Sequence, residues 1–205
     1  MHRRRLAALP LLPMFLMLLA QAAWAQRPLT RDEAMELLAA GSRWVELEGD
    51  LQPDGTFVAK EIDIVAAEDS LSMLDVVIGG TIATINRRFS KLTVLSYEVT
   101  WNETTKIRDA DKHQVLSSKL NEGQGIKVKG KLQEDGTFLA RSIQLTAGKP
   151  RSDGTVKYKQ QLRGPATVVD ARDGLLRVVK SNVTLRGDCT FFENPVEVQT
   201  SDEKK

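Results

Sequence analysis

Few of the residues that usually carry chemistry occur in this chain. One cysteine, Cys189, is present in 205 residues, which excludes an internal disulfide framework. A lone thiol in an oxidising compartment has only another chain to pair with. More often a single cysteine is a small buried hydrophobe, and that is the expectation for Cys189. Histidine is as scarce, with His2 and His113 the only two. His113 and Cys189 lie in different segments, and no nucleophile-elbow glycine pattern surrounds Cys189, so they form no nucleophile and base. Gly79-Gly80-Thr81 lacks the following glycine and lysine of a phosphate loop, and Gly80 is expected to relieve crowding in a bent strand. Asp109-x-Asp111 starts like a calcium loop. Gln114 stands where that loop needs glycine and Leu120 where it needs a bidentate acid, so a solvated turn is expected. No catalytic residue, metal or cofactor is read from the sequence.

Long apolar runs are also missing, except at the start. Arg3-Arg4-Arg5 precedes an apolar run from Leu6 to Ala20, which ends in Ala23-Trp24-Ala25. This succession predicts a secretory signal peptide over 1–25, cleaved to leave Gln26 at the new terminus. Pro10 and Pro13 interrupt the run, and no transmembrane anchor is expected. No cysteine follows it, which argues against lipid attachment. The leader carries three of the 29 Lys and Arg and none of the 27 Asp and Glu, so the net charge moves from +2 to −1 on cleavage. A nucleic-acid partner loses the basic field it would need. The expected location is the periplasm or the exterior.

What the chain does have is a repeat. Residues 45–64, VELEGDLQPDGTFVAKEIDI, align without a gap on 126–145, IKVKGKLQEDGTFLARSIQL, with nine of twenty positions identical. A fainter match equates Gly80, Ile85, Val94 and Val99-Thr100 with Gly164, Val169, Val178 and Val183-Thr184, and then Thr105 with Thr190 after one residue of slippage. With 77–108 as a front half and 123–146 as a back half, the chain reads back, front, back, front.

Both halves read as strands. Val45-Glu46-Leu47-Glu48 and Ile126-Lys127-Val128-Lys129 alternate apolar with charged residues, the pattern of strands with one buried face. Asp54-Gly55 and Asp135-Gly136 sit between apolar runs where a tight hairpin needs a positive φ, and Asp153-Gly154 and Asp173-Gly174 mark further turns. Ser117-Ser118-Lys119-Leu120 predicts a short helical turn before Gly123. Three strands, a helical connection and two strands is the order of an OB-type barrel, with a five-stranded sandwich as the alternative. The expected fold is therefore all-β with one N-terminal helix and two small OB-like five-stranded barrels. The continuous one covers 77–146. The split one joins 42–66 to 160–195, because an isolated half would leave strand edges and an apolar face unpaired. If those ends pair between molecules instead, the product is a swapped dimer. A helical segment is expected over 28–41, where Thr30-Arg31-Asp32-Glu33 has capping-box spacing. The linker Gly148 to Lys159 and the tail 196–205 are polar and expected to be mobile.

The spacings Gly80-x-Ile82-x-x-Ile85, Leu92-x-Val94, Thr105-x-Ile107, Leu120-x-x-Gly123, Val128-x-Gly130 and Asp135-Gly136-Thr137-Phe138-x-Ala140-x-x-Ile143 resemble domain-of-unknown-function family 5666. That resemblance implies a small β-barrel of exported bacterial proteins. It brings no catalytic residues.

The functional expectation is a non-catalytic binding or scaffold protein of the bacterial envelope, its partner an envelope protein, a peptide or a saccharide. The alternative is an envelope enzyme built from scattered carboxylates such as Glu103 and Asp109. An OB-type barrel presents its second and third strands and first hairpin loop to ligands. Those elements carry Arg87, Arg88, Lys91, Tyr97 and Trp101, aromatic groups beside cations. Trp101 shares its alternation with Val99, so the core also claims it. A second set is an interface: Glu46, Glu48 and Asp50 of the first back half occupy the positions of Lys127, Lys129 and Lys131 in the second. Opposite signs at three outward positions suggest that the two faces see each other.

Overall fold

A computed structural model of the chain describes residues 26–41, 43–65 and 75–194; the leader at 1–25 and the tail at 196–205 lie outside them. Helix α1 spans Arg31–Ala39 and starts as its sequence dictates. The Thr30 hydroxyl accepts from Glu33 N while the Glu33 carboxylate accepts from Thr30 N, a complete capping box. Ala34, Met35 and Leu38 form its buried stripe. The expected helical segment is shorter than 28–41, because strand β1 (Arg27–Leu29) comes first and pairs antiparallel with the C-terminal strand. Among the described residues no helix is long and apolar enough to cross a membrane.

Everything else is mostly strand. β2 (Arg43–Leu51) and β3 (Phe57–Val65) make the first hairpin, with Gly55 at φ +85° in its turn. β9 (Gly125–Leu132) and β10 (Phe138–Leu145) make its repeat, with Gly136 at φ +89°. Each hairpin bulges at the same place, leaving Lys60 and Arg141 as the extra residues. Each bulged cation reaches a carboxylate, Lys60 to Asp50 and Arg141 to Asp75. Alternation buries Val45, Leu47, Phe57, Ala59, Ile62 and Ile64 in one copy and Ile126, Val128, Phe138, Ala140 and Ile143 in the other.

The C-terminal front half supplies β13 (Gln160–Asp170), β14 (Leu175–Val178) and β15 (Ser181–Asn194). These pair in sequence, β15 then runs parallel to β3, and β2 returns antiparallel to β13. The ring is a closed five-stranded barrel made from both ends of the chain.

The remaining strands repeat its pairings. They are β4 (Val76–Thr81), β5 (Thr84–Asn86), β6 (Lys91–Val94), β7 (Tyr97–Thr100) and β8 (Lys106–Arg108), together with β9 and β10. The bonded order is β4-β9-β10-β7-β6-β5, and β5 begins just after β4. Phe138 lies beside Val99 as Phe57 lies beside Val183. The registers also correct the alignment near Thr105. Ile143 faces Ile107 and Ile62 faces Phe191, so the second match continues without slippage.

The two halves meet about a pseudo-two-fold axis. β13 and β4 pair antiparallel with Leu162 opposite Ile78, and these are the same position in the two front halves. On the core side the Tyr97 hydroxyl bonds Ser181 Oγ at 2.9 Å, again one position in two copies. On the outer side Lys127 Nζ stands 3.9 Å from Glu46 Oε1, a third equivalent pair. One sheet therefore runs from the barrel into the other strands, and hydrophobic residues of both belong to one core cluster. The linker expected to be mobile instead forms the hairpin β11 (Lys149–Pro150) and β12 (Val156–Lys157). Lys157 and Lys159 tie its end to Asp50 and Glu48, at 3.5 and 2.6 Å.

Candidate functional site

The tight turn after β5 carries Arg87, Arg88 and Phe89 in a single 3-10 turn that ends at Ser90, φ +51°. Trp101 N donates to Ser90 O, which draws the end of β7 against this turn. Beyond β8 the chain folds back: Val115 N donates to Ile107 O, and Leu116 caps the 3-10 turn Ser117–Lys119. Between these two lips lies an open groove of about 920 Å³, lined by Arg88, Phe89, Trp101, Glu103, Leu116 and Ser117 among others. Its floor is apolar, with Trp101 and Ile107 8% and 6% exposed. Its rims carry two large apolar side chains facing water, Phe89 at 62% and Leu116 at 78% exposed. The Arg88 guanidinium is turned onto the Phe89 ring, 5.5 Å from its centroid.

The structure brings two of the five expected ligand residues to this groove, Arg88 and Trp101. Trp101 is both core residue and floor, because it stands where β7 ends. The other three are engaged elsewhere. Arg87 donates to Leu120 O and to Asn121 Oδ1, at 2.6 and 2.9 Å, and so fixes the connection to β9. Lys91 pairs with Glu98 across β6 and β7. Tyr97 is buried at the two-fold contact, where its oxygen also accepts from Lys180 N at 3.2 Å, and burial raises its phenol above the usual range. Phe89 and Leu116 were not legible as site residues. Their one sequence signal is an apolar residue inside a polar turn.

Among the six charged residues expected at an interface, one pair meets. Glu46 faces Lys127, both about one-third exposed. Glu48 pairs with Lys159, and Asp50 with Lys60 and Lys157. Lys129 and Lys131 have no carboxylate within ion-pair distance among the described residues. Lys127→Glu is expected to cost about 0.2–1 kcal/mol at low salt, and Glu46→Lys added to it to restore most of that loss. Urea unfolding of the single and double variants reads the outcome; indifference to both changes would leave the pair without weight.

The outer face of β2 and β3 sets like charges opposite each other, Glu46 against Asp63 and Glu48 against Glu61. Burial first, then Glu61 and Glu46, raise the Asp63 carboxyl above the ordinary range. A carboxyl raised on folding favours the folded state while protonated, and that contribution is lost as pH rises through its folded value. Asp63→Asn is therefore expected to stabilise the protein at neutral pH by about 0.2–1 kcal/mol. The advantage should vanish below the ordinary carboxylate range, as thermal melts across pH would show.

Asp109, Asp111 and His113 bring one ligand atom each within 4.8 Å of one another. The turn itself accounts for their approach, since Asp109 Oδ1 accepts from His113 N at 2.9 Å. Cys189 is half-buried against the core, and burial pushes its thiol up to about 12, the state of an inert thiol.

By strand order the described residues form a closed five-stranded β-barrel of the OB type, with extra strands and a single helix. Residues 29–63 and 79–144 match the family described as Domain of unknown function (DUF5666), and the chain carries a domain of that family. No curated protein and no solved structure matches the chain.

Proposed function

We propose that this is a non-catalytic binding or scaffold protein of the bacterial cell envelope, with its ligand seated in the groove between Arg88-Phe89-Ser90 and Gln114–Ser117. One observation carries the reading: two exposed apolar side chains flank a floor of buried Trp101 on a β-sheet framework. Loops held by such a framework are where binding is usually built. Photo-crosslinking in cells tests it, with a photoreactive amino acid at position 89 or 116. Capture of the same partner from both positions, and not from 139 or 156, is the expected result. Leu139 and Val156 serve as controls because they are exposed apolar residues outside the groove lining. Equal capture from all four would remove the groove from the reading.

Export is part of the same proposal. It rests on the basic, apolar and small-residue succession of residues 1–25. Mass spectrometry of the envelope fraction is expected to find a chain beginning at Gln26, and a retained Met1 would overturn it.

A further inference from the structure

The groove has a counterpart in the closed barrel, and there an arginine of the chain itself reaches across it. β1 runs against β15 as residues 113–115 run against β8: Leu29 lies opposite Phe191, and Val115 N donates to Ile107 O. Thr30 and Leu116 are then the caps of the helical segments that follow, and Arg31 corresponds to Ser117. On the facing lip Leu185 N donates to Gly174 O as Trp101 N donates to Ser90 O. Arg88, Ser90, Trp101 and Ser117, which bound the open groove, therefore correspond to Arg172, Gly174, Leu185 and Arg31.

In the closed barrel the Arg31 guanidinium spans this space. Its Nη2 donates to the Arg172 carbonyl at 3.1 Å. It and the Leu185 side chain both lie over Gly174, where a Cβ would stand 2.6 Å from Nη2 and 3.0 Å from Leu185 Cδ1. Arg31 is close enough to Cys189 to act on its thiol electrostatically. In the other half Ser117 is too short to cross, and Thr104 and Thr105 line the space left open.

We propose that the open groove takes an arginine side chain of a partner polypeptide, carried between apolar residues. Its guanidinium bonds the Arg88 carbonyl as Arg31 bonds the Arg172 carbonyl. Glu103, which lines the groove, supplies the counter-charge, and Phe89 and Leu116 receive the flanking apolar side chains. A guanidinium suits the space better than an ammonium, because its planar fork can reach a carbonyl and a carboxylate at once and lie flat on Trp101. The occupant is a polypeptide because the counterpart is crossed by a polypeptide side chain, that of residue 31 of the chain itself. This inference rests on the groove being the binding site.

The experiment uses the mature chain with Trp44→Phe, which leaves Trp101 as the lone tryptophan after leader removal. Acetyl-Ala-Leu-Arg-Phe-Ala-amide is titrated against Trp101 fluorescence, beside peptides with citrulline, lysine or glutamate in place of arginine. The arginine peptide is expected to bind about tenfold more tightly than the citrulline peptide, the size of a charge-assisted hydrogen bond. Glu103→Gln should erase that preference, and Phe89→Ser should weaken every peptide. Ser117→Arg should abolish binding, because it supplies within the chain the side chain that Arg31 supplies in the barrel. If the four peptides bind alike and Phe89→Ser weakens them all, the guanidinium claim fails and the groove stands. Preference for the glutamate peptide would also overturn the claim and assign the site to Arg88. No binding by any peptide, with no crosslink from position 89, would sink both readings.

Discussion

Removing residues 160–205 is expected to strip hydrogen-exchange protection from residues 43–65. β2 pairs with β13 over Gln160 to Ala166, and β3 pairs with β15 from Phe57 to Val65. Without those partners the β2–β3 hairpin exposes both outer edges and the faces of Leu47, Phe57 and Ile62, which are at most 1% exposed in the intact protein. An isolated hairpin is marginal in water. The strands from β4 to β10 keep their mutual pairings and lose the three-residue pairing of β4 with β13 and the Tyr97 bonds to Ser181 and Lys180. Protection there should persist. Continued protection of 43–65 in the truncated chain would mean that the hairpin finds its partners elsewhere, and the closed barrel would not be the unit of stability.

Phe138→Ala is expected to destabilise the protein by about 3–5 kcal/mol, and Phe57→Ala by a similar amount. The two side chains hold the same position in the two hairpins, and both are among the largest fully buried groups. Each abuts the third strand of its own set, Val99 and Val183 respectively. Truncation leaves a cavity that the surrounding β-branched side chains, stiff at χ1, cannot collapse to fill. Because β13 and β4 join the halves into one sheet, both variants should unfold in a single transition. Separate transitions in urea, one per variant, would show that the two-fold contact does not couple them.

The capping box at Thr30 and Glu33, the Asp-Gly turns and the alternation of the paired hairpins all fell where the residues placed them, since each depends on neighbours within a few positions. The short turn Ser117–Lys119 is of the same kind. The linker differed. Its Asp153-Gly154 turn was legible, but the polarity around it concealed a hairpin that Lys157 and Lys159 tie down to carboxylates over a hundred residues away. Of the candidate site, Arg88 and Trp101 were legible as aromatic and cationic residues on ligand-presenting elements. Tyr97 looked the same in sequence, and only its neighbour Ser181, distant in the chain, gives it a different role.

The sequence by itself determined that the chain is a β protein with one helix, and that its back and front halves repeat. Periodicity and turn chemistry are local, and a repeat is visible in residue identity alone. It also carried the incompleteness of each terminal half, since an alternating strand pair with one apolar face cannot remain unpaired. Tertiary structure alone decided that the halves meet through β4 and β13, with Leu162 opposite Ile78. That contact is made by backbone N–H and C=O groups, which every non-proline residue carries, so no side-chain pattern announces it. Tertiary structure decided the groove as well. At its counterpart the residue after the cap, Arg31, reaches the facing lip, whereas Ser117 in the same position lines the groove without crossing it. The length of one side chain acquires that meaning only when two segments far apart in sequence are folded to face each other.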